Sequence, residues 1–149
     1  MLAVTLHDTL DSIPRLDALL ELLRAQLPDS DVRASLARVL LPGSPAKLLV
    51  LSEGDCAEPV GFAFFNVGSG LETGGDYLWL NEIHVSAQYR GQGGGRMMMD
   101  FLADWARRNR IQAIYGICSV ANHGAQSFYR RLGFATEQAC WLSKSLGNA

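Results

Sequence analysis

The run from Val85 to Arg96, Val-Ser-Ala-Gln-Tyr-Arg-Gly-Gln-Gly-Gly-Gly-Arg, constrains this chain more than any other stretch. It lies between an apolar strand pattern, Tyr77 to Val85, and a helical one, 93–109, in which Met98, Phe101, Leu102 and Trp105 share a face. A strand that enters a helix through a glycine-rich turn leaves the first helical N–H groups without internal partners, at the positive end of the helix dipole. Glycines at that point remove the side chains that would hold a pyrophosphate away, so the turn predicts an anion site, with Arg90 and Arg96 adding charge-assisted contacts. A P-loop requires Gly-Lys before Ser or Thr, and the chain has no Gly-Lys pair; a dinucleotide fingerprint starting at Gly91 requires glycine at position 96, where Arg96 stands.

The remaining pattern surrounds this turn with one compact α/β arrangement. Leu2 to Leu6 reads as a strand. Ser12 and Pro14 read as the start of a helix carrying Ile13, Leu16, Leu19, Leu20, Leu23 and Leu27, which Pro28 ends. Ser30 is placed to cap a second helix to about Leu41. Strands then follow at Lys47 to Leu51, Val60 to Val67 and Tyr77 to Val85, an antiparallel meander with Gly-containing turns. After the long helix come a strand, Ile111 to Cys118, a helix capped by Asn122 and ending at Leu132 before Gly133, and two strand-like pieces, Phe134 to Thr136 and Ala139 to Ser145. The order is β-α-α-β-β-β-α-β-α-β-β. A chain of 149 residues with no repeat or linker fits one domain over 1–149.

Charge and cysteine usage narrow the function. Thirteen basic against 15 acidic residues give a net charge of −2, without the basic stripe that nucleic acid or an anionic membrane requires. Cys56, Cys118 and Cys140 are odd in number and widely spaced, so they read as reduced thiols and not as a metal or redox site. No metal is expected. The first ten residues lack a signal-peptide pattern and no apolar run reaches the ~20 residues of a membrane span, which makes the cytoplasm the default location.

Two motifs carry a family likeness. Arg90-x-x-Gly93-x-Gly95 resembles the [RQ]-x-x-G-x-[GA] signature of the GNAT acetyltransferases, and it stands between a strand and a long helix as it does there. Asn122-x-x-Ala125-x-x-Phe128-Tyr129-x-x-x-Gly133-Phe134 is similar to the next helix and strand of that family. The likeness extends over almost the whole chain. It implies a mixed sheet of about seven strands with about four helices, in which the strands at Tyr77 to Val85 and Ile111 to Cys118 splay apart around acetyl-coenzyme A. Gly94 departs from the pattern, since the family commonly has an aliphatic residue there.

The resemblance also implies roles. Acetyl-coenzyme A would lie against Ile83, Val85, Arg90, Gly91, Gln92, Gly93, Gly94, Gly95, Arg96, Asn122, Ala125 and Tyr129, with the Val85 N–H aimed at the thioester carbonyl. Tyr129 takes the position of the tyrosine that protonates the departing thiolate, and a packing role beside Phe128 is its alternative. Glu82 is the candidate base for the acceptor amine, with His84 as the second choice. By strand alternation Glu82 and His84 share a face and Asn81 lies on the other, an assignment that a bulge would exchange. The expected activity is transfer of acetyl to a primary amine. Open alternatives are another acyl group or nucleophile, or a coenzyme-binding regulatory module without turnover. The acceptor is a small molecule or a peptide, and a homodimer stays open.

Overall fold

The computed structural model describes residues 1–147. The chain divides into two compact units, Met1–Ile117 and a second from Cys118 onward. The first holds a five-stranded sheet in the order β1-β2-β3-β4-β5, built from β1 (Leu2–His7), β2 (Ala46–Glu53), β3 (Glu58–Gly70), β4 (Gly75–Val85) and β5 (Ala113–Gly116). The first four strands pair antiparallel, whereas β5 runs parallel to β4. Helices α1 (Leu16–Gln26), α2 (Val32–Val39) and α3 (Gly94–Arg108) complete this unit.

Strand alternation sorts the core into two layers. Leu48, Val50 and Phe62 point to one face of the sheet and pack with Leu19, Leu20, Leu23, Val32 and Leu36 of α1 and α2. On the other face Phe65 meets Trp105 of α3 edge to face, with ring centroids 5.3 Å apart. Met98, Met99, Leu102 and Ala106 form the buried stripe of α3. Met97 lies outside that stripe and is exposed.

Helix starts differ from the sequence expectation for identifiable reasons. Ser12 does not open α1; it accepts from His7 Nδ1 at 3.0 Å and donates to the Thr9 carbonyl at 2.8 Å, so its hydroxyl fixes a short 3-10 turn, Leu10–Ser12, instead. The helix begins after Arg15, which takes a left-handed conformation (φ 56°). For α2 the cap is Asp31 and not Ser30, its carboxylate accepting from the Ala34 N–H at 3.1 Å.

In the second unit α4 (His123–Arg131) is capped as expected by Asn122, whose side chain accepts from the Ala125 N–H at 3.0 Å. Gly133 past its end has φ 89°. The two strands expected at Phe134 to Thr136 and Ala139 to Ser145 do not form among the described residues, which leaves five strands and not seven. An alternating pattern becomes a strand only with a ladder partner, and residues 134–147 have none here. Trp141 and Leu142 are accordingly 67% and 87% exposed.

Candidate functional site

Strand β4 outruns its parallel partner. Its ladder with β5 covers Tyr77 to Leu80 and stops at Leu80 and Gly116, while pairing with β3 continues to Val85. Asn81 to Val85 therefore have a sheet neighbour on one side only. Ser86 donates to the Val60 carbonyl at 2.8 Å, which sets the direction of the backbone groups along this end of the strand. Alternation then turns the N–H and C=O of Ile83 and Val85 away from β3, toward the unpaired edge. Gly61, opposite Val85, keeps the two strands this close, because a Cβ there would lie 2.6 Å from the His84 carbonyl oxygen.

The strand ends in the glycine turn. Gly91 (φ 77°) and Gly93 (φ 83°) both adopt the left-handed conformation, and a Cβ on either would meet nothing within 4 Å. Gly93 is the N-cap of α3, and no side chain caps that helix. The turn therefore combines open space, backbone donors and a positive helix end, which fits an anionic group. Gly94 serves differently. It is buried, and a Cβ on it would stand 2.5 Å from Leu51 Cδ2. The branched side chain of Leu51 thus fills the space that a larger residue at position 94 would take.

The side chains of the turn are partly committed to the protein. Arg90 donates through Nε to the Val85 carbonyl at 2.9 Å, strapping the turn to the strand end. Gln92 donates to the Gln88 carbonyl at 3.2 Å, and Arg96 pairs with Asp100 at 3.7 Å on the exposed face of α3. Gly95 lies in the first turn of the helix.

A bulge decides where Glu82 points. Phe64 pairs with Glu82 and Phe65 with Leu80, so Asn81 is the extra residue. Beyond it the alternation reverses. Leu78 and Leu80 face α3, whereas Glu82 and His84 join Tyr77 and Trp79 on the opposite face, the one that α1 and α2 cover over β2 and β3. The His84 ring lies 5.8 Å from that of Phe62, a member of the α1/α2 core. Asn81 accepts from Asn66 Nδ2 at 2.9 Å, and Asn66 belongs to the same face. The expected separation of Asn81 from Glu82 and His84 is thereby corrected, since the bulge brings all three together.

Burial raises the pKa of Glu82 above the ordinary carboxylate value, and burial, then the Arg90 charge, lower that of His84. Both shifts favour the neutral form. A carboxylate raised in this way is a better proton acceptor near neutral pH.

Tyr129, Asn122 and Ala125 belong to the second unit. The Tyr129 ring is half-buried between Phe128 and Phe134, with centroids at 5.2 and 5.4 Å. Burial, then Cys118, raise its pKa above 10, so the phenol keeps its proton well into the alkaline range. Gln126 ties the loop before α4 to the helix by donating to the Val120 carbonyl at 2.8 Å. Sequence reasoning missed the Arg90 strap, the Asn66–Asn81 bond and the role of Gly61. Only the close approach required at Gly61 has a sequence signal, a glycine inside an apolar strand pattern.

Comparison with known proteins bears on these features. The profile of the Acetyltransferase (GNAT) family matches residues 16–134. An uncharacterized N-acetyltransferase of Bacillus subtilis (strain 168) is 30% identical over 64 residues, which span 42% of this chain and 45% of that protein's length. An aminoglycoside acetyltransferase from an uncultured soil metagenomic sample superposes with a TM-score of 0.81 at 15% identity, covering 98% of this chain and 97% of that one. A ribosomal-protein-alanine N-acetyltransferase from Brucella melitensis biovar Abortus 2308 gives 0.75 at 19% identity, covering 97% and 100%. The aminoglycoside antibiotic 6'-N-acetyltransferase of Acinetobacter baumannii gives 0.76 at 16%, covering 99% and 100%. No helix among the described residues is long and apolar enough to cross a membrane. With the family profile matched over most of its length and the fold shared with these enzymes, the chain belongs to the acetyltransferase (GNAT) family.

Proposed function

We propose that this protein is an acetyl-coenzyme A-dependent N-acetyltransferase, a single domain over residues 1–149 that moves an acetyl group to a primary amine. The observation that carries the reading is the unpaired edge of β4 at Ile83 and Val85, which runs directly into the uncapped glycine turn of α3. A long cosubstrate with an amide-bearing arm and a pyrophosphate requires such a sequence of sites: strand-like backbone partners, then backbone donors at a helix N-terminus. The cradle fits, since Gly91 and Gly93 leave open space where side chains would stand. Between these two left-handed positions the Gln92 side chain turns back to the Gln88 carbonyl and so stays tied to the turn itself.

The coenzyme supplies the activated acetyl group when bound. The Val85 N–H, directed to the open edge, is placed to polarise a carbonyl there. Glu82 accepts the proton of the ammonium acceptor, directly or through water, and Tyr129 holds the proton for the leaving thiolate. Asn122 and Ala125 contribute the start of α4 to coenzyme binding. The acceptor is a small-molecule or peptide amine; among the structural neighbours one is named for an aminoglycoside antibiotic and another for a ribosomal-protein alanine.

Release of free thiol from acetyl-coenzyme A, followed across a panel of amines, tests the reading. Turnover with at least one primary amine supports it. Coenzyme binding without thiol release across the panel would favour a regulatory module, and failure to bind the coenzyme would remove the site altogether.

A further inference from the structure

The bulge at Asn81 leaves one face of β4 and β5 with an unusual composition. Its positions, read by alternation, are Tyr77, Trp79, Glu82 and His84 on β4 and Ala113 and Tyr115 on β5. None is lysine or arginine. The buried core beneath α1 and α2 draws on β2 and β3 and includes no residue of β4 or β5. Trp79 and Tyr77 are half-buried and Tyr115 is 43% exposed.

The aromatic part is built and not incidental. Trp79 and Tyr115 are register partners across the parallel ladder, and the rings of Tyr77 and Tyr115 lie 5.6 Å apart. Tyr77 rests on Gly68 and Gly70 of β3: a Cβ on Gly68 would stand 2.7 Å from the Tyr77 ring, and one on Gly70 3.3 Å. Two glycines thus form the floor on which that ring lies. Thr73 Oγ1, 3.4 Å from the Tyr115 hydroxyl, touches the outer edge.

We propose that this strip is the acceptor-binding surface and that it selects an elongated amine with a second positive charge, of the diamine, polyamine or amino-sugar kind. The inference rests on the acetyltransferase reading for the role of Glu82. Aromatic faces attract cations, tryptophan most strongly, and Glu82 is the one carboxylate among the same-face positions. The β3 partners of Trp79 and Glu82, Asn66 and Phe64, are two residues apart, so with Asn81 bulged out the two positions lie about 7 Å apart at ~3.3 Å per residue. A reacting ammonium at Glu82 therefore leaves room for a second cation over Trp79 and Tyr115 only if the molecule spans that distance. A short monoamine can use Glu82 alone.

Octylamine and diaminooctane share a chain long enough to bridge the strip and differ by one terminal ammonium. The wild type should show a lower KM for the diamine. Trp79→Leu should reduce that preference about 2- to 30-fold, acting on KM and not on kcat, while Trp79→Phe, which keeps an aromatic face, should retain most of it. Tyr115→Leu, at an exposed ring, repeats the test should Trp79→Leu fail to melt cooperatively. Equal KM values for the two amines in the wild type, or a preference that survives both leucine variants, would overturn the proposal. If neither amine is acetylated, calorimetric binding of the same pair to the wild type and variants still decides: a diamine preference lost in the leucine variants supports the strip while the transfer reading fails, and no preference in binding sinks the strip itself.

Discussion

Gly93 and Gly94 are neighbours in one turn, yet the structure gives them opposite reasons to be glycine, and alanine at each should separate the two. At Gly94 a Cβ would lie 2.5 Å from Leu51 Cδ2, and Leu51 is fully buried at 0% exposure, so the leucine cannot swing into solvent. Overpacking of this kind costs about 1–3 kcal/mol, against which alanine in a helix regains at most about 1 kcal/mol. The net is a loss of roughly 0–3 kcal/mol, or a fall of up to about 12 °C in Tm for a chain of this size, at about 2–4 °C per kcal/mol. Leu51→Val withdraws the offending atoms. On its own it leaves a small cavity, but with Gly94→Ala it should recover part of the loss, a coupling of about 0.5–3 kcal/mol in a double-mutant cycle read by urea unfolding at constant m-value. Gly93→Ala meets no atom, and its cost of about 1–2 kcal/mol comes from φ 83° alone. Its effect should appear in coenzyme affinity, since the new methyl enters the open space of the cradle, while the folded Gly94→Ala protein keeps more of its affinity. Additive unfolding energies for Gly94→Ala and Leu51→Val within about 0.5 kcal/mol would refute the packing argument. Unchanged acetyl-coenzyme A affinity in Gly93→Ala, measured by calorimetry, would refute the assignment of the turn.

Glu82→Gln should reduce kcat/KM most at low pH, where few acceptor amines are already neutral, and raising the pH should partly rescue it; equal wild-type and variant rates at every pH would remove Glu82 from the reaction. Because the Glu82 pKa is raised, the acid limb of the wild-type profile should fall above the ordinary carboxylate value, and that limb should be absent in the glutamine variant. Tyr129→Phe keeps the ring contacts with Phe128 and Phe134, so Tm should hold while kcat falls by about 10²–10⁴-fold; near-normal kcat with chemistry rate-limiting would leave Tyr129 a packing residue. His7, 6% exposed, has a pKa lowered chiefly by burial, so the unfolded chain binds more protons than the native one. Its contribution is complete above the unfolded value of about 6.5 and is lost as pH falls toward the native pKa; the urea midpoint should therefore drop on acidification, and less so in His7→Gln, with His84 retaining part of the trend.

Local signals are readable in the sequence where each depends on neighbours in the chain. The glycine turn, the amphipathic stripe of α3 and the Asn122 cap are of this kind: the turn leads into α3, Asn122 caps α4, and of the expected stripe Met98 and Leu102 are buried while Phe101 and Trp105 are half-buried. A cap is ambiguous where two candidates lie side by side: Ser30 precedes Asp31, and only the structure shows which side chain reaches a free N–H. Ser12 is drawn away from helix α1 by a partner five residues back, His7, whose Nδ1 bonds its hydroxyl. The strands expected at Phe134 to Thr136 and Ala139 to Ser145 rest on alternation, which describes a surface suited to a sheet without supplying the sheet.

The bulge shows why the candidate site is harder to read than the fold. Strict alternation from Leu78 and Leu80 would carry Glu82 into the layer beneath α3, an unpaired carboxylate among Phe65, Met98 and Leu102. One extra residue at Asn81 reverses the parity, so the apolar half of β4 stays against α3 while Glu82 and His84 come to the face shared with Trp79. The same reversal turns Ile83 and Val85 side chains inward beside Ala63 and Gly61, and it leaves their backbone groups on the edge where β5 has ended. A single insertion in the register thus sets both a titratable side chain and a free strand edge at one end of β4. Deletion of Asn81 should abolish the bulge without moving Glu82, because Leu80 then precedes Glu82 directly and ordinary alternation keeps Leu80 against α3 and Glu82 beside Trp79. The urea midpoint should therefore fall only by about the worth of the lost Asn66–Asn81 bond, roughly 1 kcal/mol, and a fall of several kcal/mol would show that the deletion throws the end of β4 out of register and refute the assignment of Asn81 as the extra residue.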